Sequence, residues 1–240
     1  MTKVKNYLLG YKKMYIVQDT EFFNFSLDSV LLPNFVTLNK NISKIMDIGC
    51  GNAPIPLILS TKTNAEIVGV EIQKDLYDLA VESININKKE NQIELINADI
   101  NELYMDIESD TYDVITCNPP YFKYSGNSNI NYNNHKTIAR HEIMLNLDKL
   151  FKISRKILKN NGVVAIVHRP ERLVEIIEVM KKNNIEPKRV QFIYPKINKK
   201  ANILLIEGVK NGKPGLEIMS PLYSHNECGE YTEEIKRFFE

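Results

Sequence analysis

Short apolar runs alternate with longer amphipathic stretches along most of this chain. Lys44–Ile48 reads as a strand, and Pro54–Ser60 begins a helix whose prolines stand only in its first turn, where a missing N–H costs no hydrogen bond. Ile67–Glu71 is a second strand, followed by a helix over Gln73–Lys88 with Leu76, Leu79, Ala80 and Ile84 on one face. Ile93–Ile96 and Asp113–Cys117 are the third and fourth strands. After a polar loop from Lys123 to Lys136, Glu142–Lys159 reads as a long amphipathic helix that Asn160-Asn161-Gly162 stops. Val163–His168 is the fifth strand and Glu171–Asn183 the next helix; Val190–Tyr194 and Asn202–Gly208 then form a hairpin around a lysine-bearing turn. Upstream, Asp28–Leu38 reads as a helix capped by Ser26 or Asp28, and the residues to about Thr20 are polar with scattered Tyr and Lys.

Strand–helix alternation of this kind predicts an α/β fold: a mostly parallel sheet with helices on both faces, closed by an antiparallel hairpin strand. Ligands in such sheets sit beyond the carboxyl ends of the strands, near the point where the strand order reverses. No repeat and no low-complexity linker interrupts the pattern, so residues 1–240 are expected to form one domain.

A chain of 240 residues that is 43% hydrophobic can bury a substantial core. The net charge of +1 makes no global demand for nucleic acid, so any basic surface must be a local patch. Cys50, Cys117 and Cys228 are widely separated, with no CxxC or Cys/His spacing, which argues against a disulfide framework and against zinc. The early lysines precede no apolar run long enough for a signal sequence, and no stretch approaches the roughly 20 apolar residues of a membrane span. The expectation is a cytoplasmic protein with reduced thiols, no metal and no membrane partner.

Candidate chemistry gathers at strand ends. Asp47-Ile48-Gly49-Cys50-Gly51 leads from the first strand into a helix, and glycines at such a turn let a ligand approach the backbone. Alone, the pattern is also compatible with a plain turn. A dinucleotide site would want a third glycine where Ala53-Pro54 stand, and Pro54 and Pro56 remove amide donors from the helix start, which disfavours a phosphate cradle. Asp47 likewise disfavours an anion and suits a ligand carrying an ammonium or a sulfonium. Glu71, about 20 residues beyond the glycines, is placed to accept ribose hydroxyls. Asp99, closing the third strand, could accept from an adenine amino group, with Ala98 and Ile100 lining the ring slot. Taken singly, Glu71 and Asp99 also fit solvated strand ends. Three acids closing three successive strands point to a nucleoside.

Asn118-Pro119-Pro120-Tyr121-Phe122 ends the fourth strand and is the most specific signal in the chain. Two prolines fix φ and supply no N–H, so the Pro119 carbonyl can face outward as a bare acceptor. Asn118 adds a second acceptor and Tyr121 a flat stacking face. Two acceptors and an aromatic ring are what an exocyclic amino group on a planar base requires. Its hydrogens are taken up by the acceptors, and its lone pair is drawn out of conjugation. The alternative is a proline-rich turn with a buried Tyr.

The glycine motif, the acid after the second strand and Asn118–Tyr121 together resemble the class I S-adenosylmethionine-dependent amino-methyltransferases. That resemblance implies a Rossmann-like, seven-stranded, mostly parallel sheet. It implies S-adenosyl-L-methionine beside Asp28, Asp47, Gly49, Gly51, Glu71, Ile72, Ala98, Asp99 and Asn118. It makes Asn118, Pro119, Pro120 and Tyr121 the catalytic set. Residues 1–27 become a segment that closes over cofactor and substrate, and 28–240 the core. Further stretches, in order, are similar to the bacterial tRNA valine-isoacceptor adenine N6-methyltransferases: Phe25-Ser26-Leu27-Asp28-Ser29, Gly51-Asn52-Ala53-Pro54, Ala139-Arg140-His141-Glu142, His168-Arg169-Pro170-Glu171 and Gly212-Lys213-Pro214-Gly215. The resemblance runs from about Phe25 to Tyr231 and departs from the commonest glycine pattern at Ala53. It implies N6-methylation of the adenosine next to the anticodon, nucleotide thirty-seven of a valine tRNA. The partner would be the anticodon arm, the enzyme a monomer, and Phe122, Arg140, His141, His168 and Arg169 the substrate contacts.

Net neutrality hides an uneven charge distribution. Lys181, Lys182, Lys188, Arg189, Lys196, Lys199, Lys200, Lys210 and Lys213 cluster late, opposed in that stretch only by Glu186 and Glu207. They fit phosphate contact, and equally a solvated lysine-rich face. His135, Lys136, Arg140 and His141, with Tyr124 and Tyr132, follow the catalytic motif. Competing functions are methylation of a protein glutamine amide, methylation of DNA adenine, and a non-catalytic RNA-binding module. The first of these groups usually carries a helical N-terminal domain, for which the residues before Phe25 are too few; no target-recognition domain for DNA is visible; and a mere binder needs no paired acceptors.

Overall fold

The computed structural model describes residues 3–8, 14–19, 26–119 and 145–239. Two antiparallel strands, β1 (Lys3–Tyr7) and β2 (Tyr15–Asp19), stand apart from the main sheet. Then come α1 (Asp28–Phe35), β3 (Lys44–Ile48), α2 (Pro54–Leu59), β4 (Glu66–Glu71), α3 (Lys74–Ile86), β5 (Ile93–Asn97), α4 (Ile100–Leu103) and β6 (Tyr112–Cys117). The second half holds α5 (Leu147–Ile157), β7 (Leu158–His168), α6 (Leu173–Lys182), β8 (Ile185–Tyr194), β9 (Ile203–Lys210), β10 (Glu217–Ile218), β11 (Leu222–Tyr223) and α7 (Glu233–Lys236).

The strand order is β5-β4-β3-β6-β7-β9-β8-β10, with β11 also on β8. β9 is antiparallel to both β7 and β8; all other pairings in this sheet are parallel. The expected seven strands are therefore present, and two short ones extend the β8 edge. From β3 the chain steps outward to β4 and β5, then returns to β6 on the other side. The order reverses between β3 and β6, and that is where a sheet of this kind opens a crevice.

Alternation along the central strands decides which face each side chain enters. Ile45, Val114, Ala165 and Val167 join one apolar cluster with residues of α1, α2 and α3. Met46, Ile48, Ile115, Cys117, Val164 and Ile166 join another with residues of α5 and α6. Helices thus cover both faces, as the alternation predicts. On α5, Leu147, Leu150, Phe151, Ser154 and Ile157 form the buried stripe. Burying a side chain the size of Phe151 contributes roughly 1.5–3 kcal/mol. Gly69 in β4 is required by close approach: a Cβ there would meet Leu95 Cδ2 at 2.8 Å and Cys50 Sγ at 3.0 Å.

Several boundaries differ from expectation. α1 ends at Phe35 rather than Leu38, and its N-cap position is Leu27, between Ser26 and Asp28, with the Ser29 N–H donating to the Ser26 carbonyl. α5 starts at Leu147, where the Asn146 side chain accepts from the Lys149 N–H, and it stops at Ile157. Leu158 is fully buried and already pairs with Tyr112, so the asparagines fall inside β7 rather than at a helix stop. Residues 159–162 loop out before regular pairing resumes at Val114↔Val163, with Asn161 at φ 63°. β8 begins five residues earlier than Val190 because a register shift between Pro187 and Arg189 accommodates the proline. The polar N-terminal stretch forms β1 and β2, held by contacts distant in sequence. Val17 N–H donates to Ser83 Oγ at 2.9 Å, Tyr15 N–H to Asn87 Oδ1 at 2.8 Å, and Asn52 Nδ2 to the Val17 carbonyl at 2.8 Å.

Candidate active site

β3, β4, β5 and β6 are parallel neighbours, so the residues that follow them converge on one edge of the sheet. After β3 the backbone turns through Gly49 (φ 71°), Gly51 (φ 57°) and Ala53 (φ 69°). Gly49 and Cys50 both donate to the Val70 carbonyl, at 2.8 and 3.1 Å, folding the loop over the end of β4. Ala53 thus keeps the left-handed backbone of a glycine pattern although it carries a Cβ, a conformation uncommon outside glycine. A Cβ built on Gly49 or Gly51 would meet nothing within 4 Å among the described residues. The loop borders open space.

Asp47 lies one residue inside the end of β3, fully buried, beside its register partner Thr116. Thr116 Oγ1 donates to Asp47 Oδ1 at 2.6 Å, and Oδ2 has no hydrogen-bond partner among the described residues. Burial pushes the carboxyl up to about 7; the Thr116 hydrogen bond works against this and the nearby Glu71 charge adds to it. An orphaned oxygen with that proton affinity is a ready acceptor for a cationic group.

Glu71 ends β4 and is 3% exposed. Its Oε2 accepts from the Gly51 N–H at 2.9 Å and its Oε1 from the Gln73 N–H at 2.8 Å. Each oxygen keeps a further lone pair, so the carboxylate is oriented by backbone while still able to accept hydroxyls. Asn97 Nδ2 donates to the carbonyls of Glu71 and Ile72 at 2.8 and 3.2 Å, and Ala98 N–H to that of Glu71 at 3.2 Å. Asp99 caps α4: its Oδ1 accepts from Asn101 N–H at 2.8 Å and Nδ2 at 2.7 Å. Asp28 is the first residue of α1 and half-buried.

Asn118 is half-buried and Pro119 buried just past β6. The last β3–β6 register pair is Ile48↔Cys117, so Gly49 and Asn118 are the first residues beyond the two neighbouring strands. One strand spacing, about 4.8 Å, separates the two strands where they end. Pro120, Tyr121, Phe122, Arg140 and His141 lie outside the described residues, as does the Lys123–Lys136 loop.

β7 adjoins β6 and ends in His168, which is 1% exposed. Its Nδ1 accepts from the Arg169 N–H at 2.7 Å, and burial, reinforced by the Arg172 charge, pushes the imidazole down to about 4. His168 is therefore neutral at physiological pH. Arg169 donates through one guanidinium nitrogen to the Asn202 carbonyl at 2.8 Å, tying β7 to the start of β9.

Asn52 stands in the Gly51–Pro54 stretch, but Thr116, Gln73 and Asn97, which help set Asp47 and Glu71 in place, carry no motif. A Thr in a strand is ordinary β-propensity. Away from this edge, a cavity of about 150 Å³ lies where β6 and β7 begin, lined by Thr37, Asn39, Ile42, Asp113, Lys159 and Asn161 among others. Burial would raise Asp113 there, but bonds from Lys159, Ser43 and Lys44 outweigh it and hold the carboxyl at about 2. Among the described residues no His, Cys, Asp and Glu grouping could hold a metal ion, and no helix is long and apolar enough to cross a membrane. Cys50, Cys117 and Cys228 are all free, and burial pushes the first two thiols up.

Residues 27–186 match the family model described as "Methyltransferase small domain". The chain is 29% identical over 197 residues to a curated relative from Parabacteroides distasonis named tRNA1(Val) (adenine(37)-N6)-methyltransferase, covering 82% of this chain and 81% of that one. A relative of the same name from Christiangramia forsetii is 22% identical and spans 98% of this chain and 99% of its own. Among solved structures, a predicted O-methyltransferase from Agrobacterium tumefaciens superposes with a TM-score of 0.70 at 17% identity, over 88% of this chain and 95% of that one.

Proposed function

We propose that this chain, which belongs to the methyltransferase small domain family, transfers a methyl group from S-adenosyl-L-methionine to the N6 amino group of an adenosine in tRNA, and that the nucleotide is adenosine 37 of a valine tRNA, as in the names of its relatives. What supports the reading is that β3 and β6 end side by side at the register pair Ile48↔Cys117, across the reversal of strand order, with the glycine loop following one and Asn118 the other. That brings Asn118 out of the sheet next to a glycine loop flanked by a buried carboxylate oxygen that has no hydrogen-bond partner among the described residues.

When bound, S-adenosyl-L-methionine supplies an electrophilic methyl carbon on a sulfonium. Asp47 offers Oδ2 to the cationic end, helped by Asp28, and Glu71 its free lone pairs to the ribose hydroxyls. Asp99 accepts from the adenine amino group, with Ile72 and Ala98 along the ring; Gly49 and Gly51 leave the room. On the substrate side, the Asn118 side-chain oxygen and the Pro119 carbonyl accept the two amino hydrogens, Pro120 holds the turn, and Tyr121 stacks on the base. The resemblance implies substrate contact for Phe122, Arg140 and His141, and also for His168 and Arg169, which stand at the end of β7 on the same edge of the sheet.

No strong base is needed, because the methylated nitrogen is transiently cationic and sheds its proton readily. Alignment is the main contribution, worth roughly 7–11 kcal/mol when two reactants are well positioned. A base in folded RNA must be unstacked to reach Tyr121. The reading carries with it a single domain whose residues 1–27 close over the site, and a cytoplasmic monomer.

Purified protein given labelled S-adenosyl-L-methionine is expected to label unmodified tRNA and to leave release factor and duplex DNA unlabelled. Label on protein instead would favour the glutamine-amide reading and sink this one.

A further inference from the structure

The late run of basic residues looks uniform in sequence, but the fold splits it. Lys181 pairs with Glu186, Lys182 with Asp148, Arg189 with Glu207 and Lys210 with Asp110, each at 2.7–2.9 Å. Lys188 donates to the Lys213 carbonyl. These groups are occupied. They also lie along β8 or toward the edge where β9 ends, away from Asn118.

Lys196, Lys199 and Lys200 are different. β8 is antiparallel to β9, and β9 to β7, so β8 runs with β7 and β6. The turn after Tyr194 therefore emerges on the same edge of the sheet as Asn118 and His168. Lys199 N–H donates to the Lys196 carbonyl at 3.2 Å, closing a tight turn with Asn198 at φ 61°. Ile197, 57% exposed, stands in that turn. Lys199 and Lys200 are exposed, and neither forms an ion pair with another of the described residues. Lys196 donates instead to the Glu227 backbone carbonyl at 3.3 Å.

The turn is braced from two sides. Arg169 holds the Asn202 carbonyl at 2.8 Å from the β7 side. From the β11 side, Ser224 N–H donates to the Tyr194 carbonyl at 2.8 Å and His225 N–H to that of Pro195 at 3.1 Å.

We infer that the β8–β9 turn is the docking element for the RNA strand: Lys199 and Lys200 take phosphates of the chain flanking the target base, and Ile197 packs against an unstacked neighbour. Three strand spacings separate β6 from β8, roughly 14 Å. At 3.4 Å per stacked nucleotide that is a reach of about four nucleotides, suited to contacts beside the reacting base rather than on it. Apolar wedges beside basic residues are a common way for proteins to hold bases apart. The inference rests on the tRNA reading above.

The test uses the full chain with Lys199→Ala and Lys200→Ala combined. The double variant is expected to raise KM for tRNA about tenfold, with kcat and S-adenosyl-L-methionine affinity unchanged. The slope of log affinity against log salt should become shallower by about 1.4–1.8, the counterions of two phosphates. Lys199→Arg with Lys200→Arg should restore both, and Lys181→Ala with Lys182→Ala on the opposite edge should change neither. An unchanged KM and slope in the double alanine variant, with wild-type protein still methylating tRNA, would overturn the docking assignment alone. Wild-type protein that methylates no RNA would instead overturn the function on which it rests.

Discussion

Thr116 Oγ1 meets Asp47 Oδ1 at 2.6 Å across the pair of strands where the sheet reverses its order, while the second Asp47 oxygen has no hydrogen-bond partner among the described residues. The hydroxyl fixes the carboxyl rotamer, and burial leaves it able to hold a proton up to about pH 7. A cationic ligand favours the carboxylate, so its binding must expel that proton. Affinity for S-adenosyl-L-methionine should therefore rise with pH through the Asp47 value, by roughly fivefold to tenfold between pH 6 and pH 7.5. Asp47→Asn should weaken binding and flatten the profile. Calorimetric titration in buffers of different ionisation enthalpy reads the proton directly, and a wild-type profile without slope would refute the pairing.

Gly51 is at φ 57° with open space where a side chain would go. In Gly51→Ala, the left-handed backbone costs roughly 1–2 kcal/mol of stability. The methyl would also stand in the space assigned to the cofactor, lowering affinity by about tenfold or more, equivalent to about 1.4 kcal/mol. Thermal unfolding and cofactor titration on the same sample separate the two effects. Unaltered affinity in a folded variant would move the cofactor away from this loop.

Arg189 belongs to the basic run by sequence but to the interior by structure. One guanidinium nitrogen reaches Glu207 at 2.9 Å and Thr37 Oγ1 at 2.7 Å, and Glu207 is 3% exposed. Arg189→Ala leaves that acid buried without its counter-charge, held by the Thr37 N–H and hydroxyl, at an expected cost of about 3 kcal/mol. Urea denaturation should show the loss, whereas the salt dependence of tRNA binding should stay as in the wild type. A variant of normal stability but shallower salt slope would reassign Arg189 to the RNA surface.

Legibility followed how local each cause is. β3 was readable to the residue because Lys44–Ile48 is a short apolar run before glycines, and its neighbours fix nothing else about it. Asp47, Glu71 and Asp99 could be placed at strand ends for the same reason. What their atoms do there could not. Asp99 spends one oxygen on the α4 cap, and Asp47 depends on Thr116, which is 69 residues away and indistinguishable from any strand Thr. β1 and β2 escaped because their partners lie on α3 and the glycine loop. Pro187 hid the first half of β8, since the bulge that tolerates it arises only when β9 pairs. Charges could be counted from sequence, but which lysines were already paired could not.

The central claim is methylation of an adenosine N6 in tRNA, positioned by Asn118. Nucleoside mass spectrometry of tRNA from cells lacking the protein, complemented with wild type or Asn118→Ala, tests it most directly. N6-methyladenosine in the valine tRNA should vanish in the deletion, return with wild type and stay absent with Asn118→Ala, although that variant keeps its cofactor affinity. Full N6-methyladenosine in the deletion strain, or complete restoration by Asn118→Ala, would contradict the account.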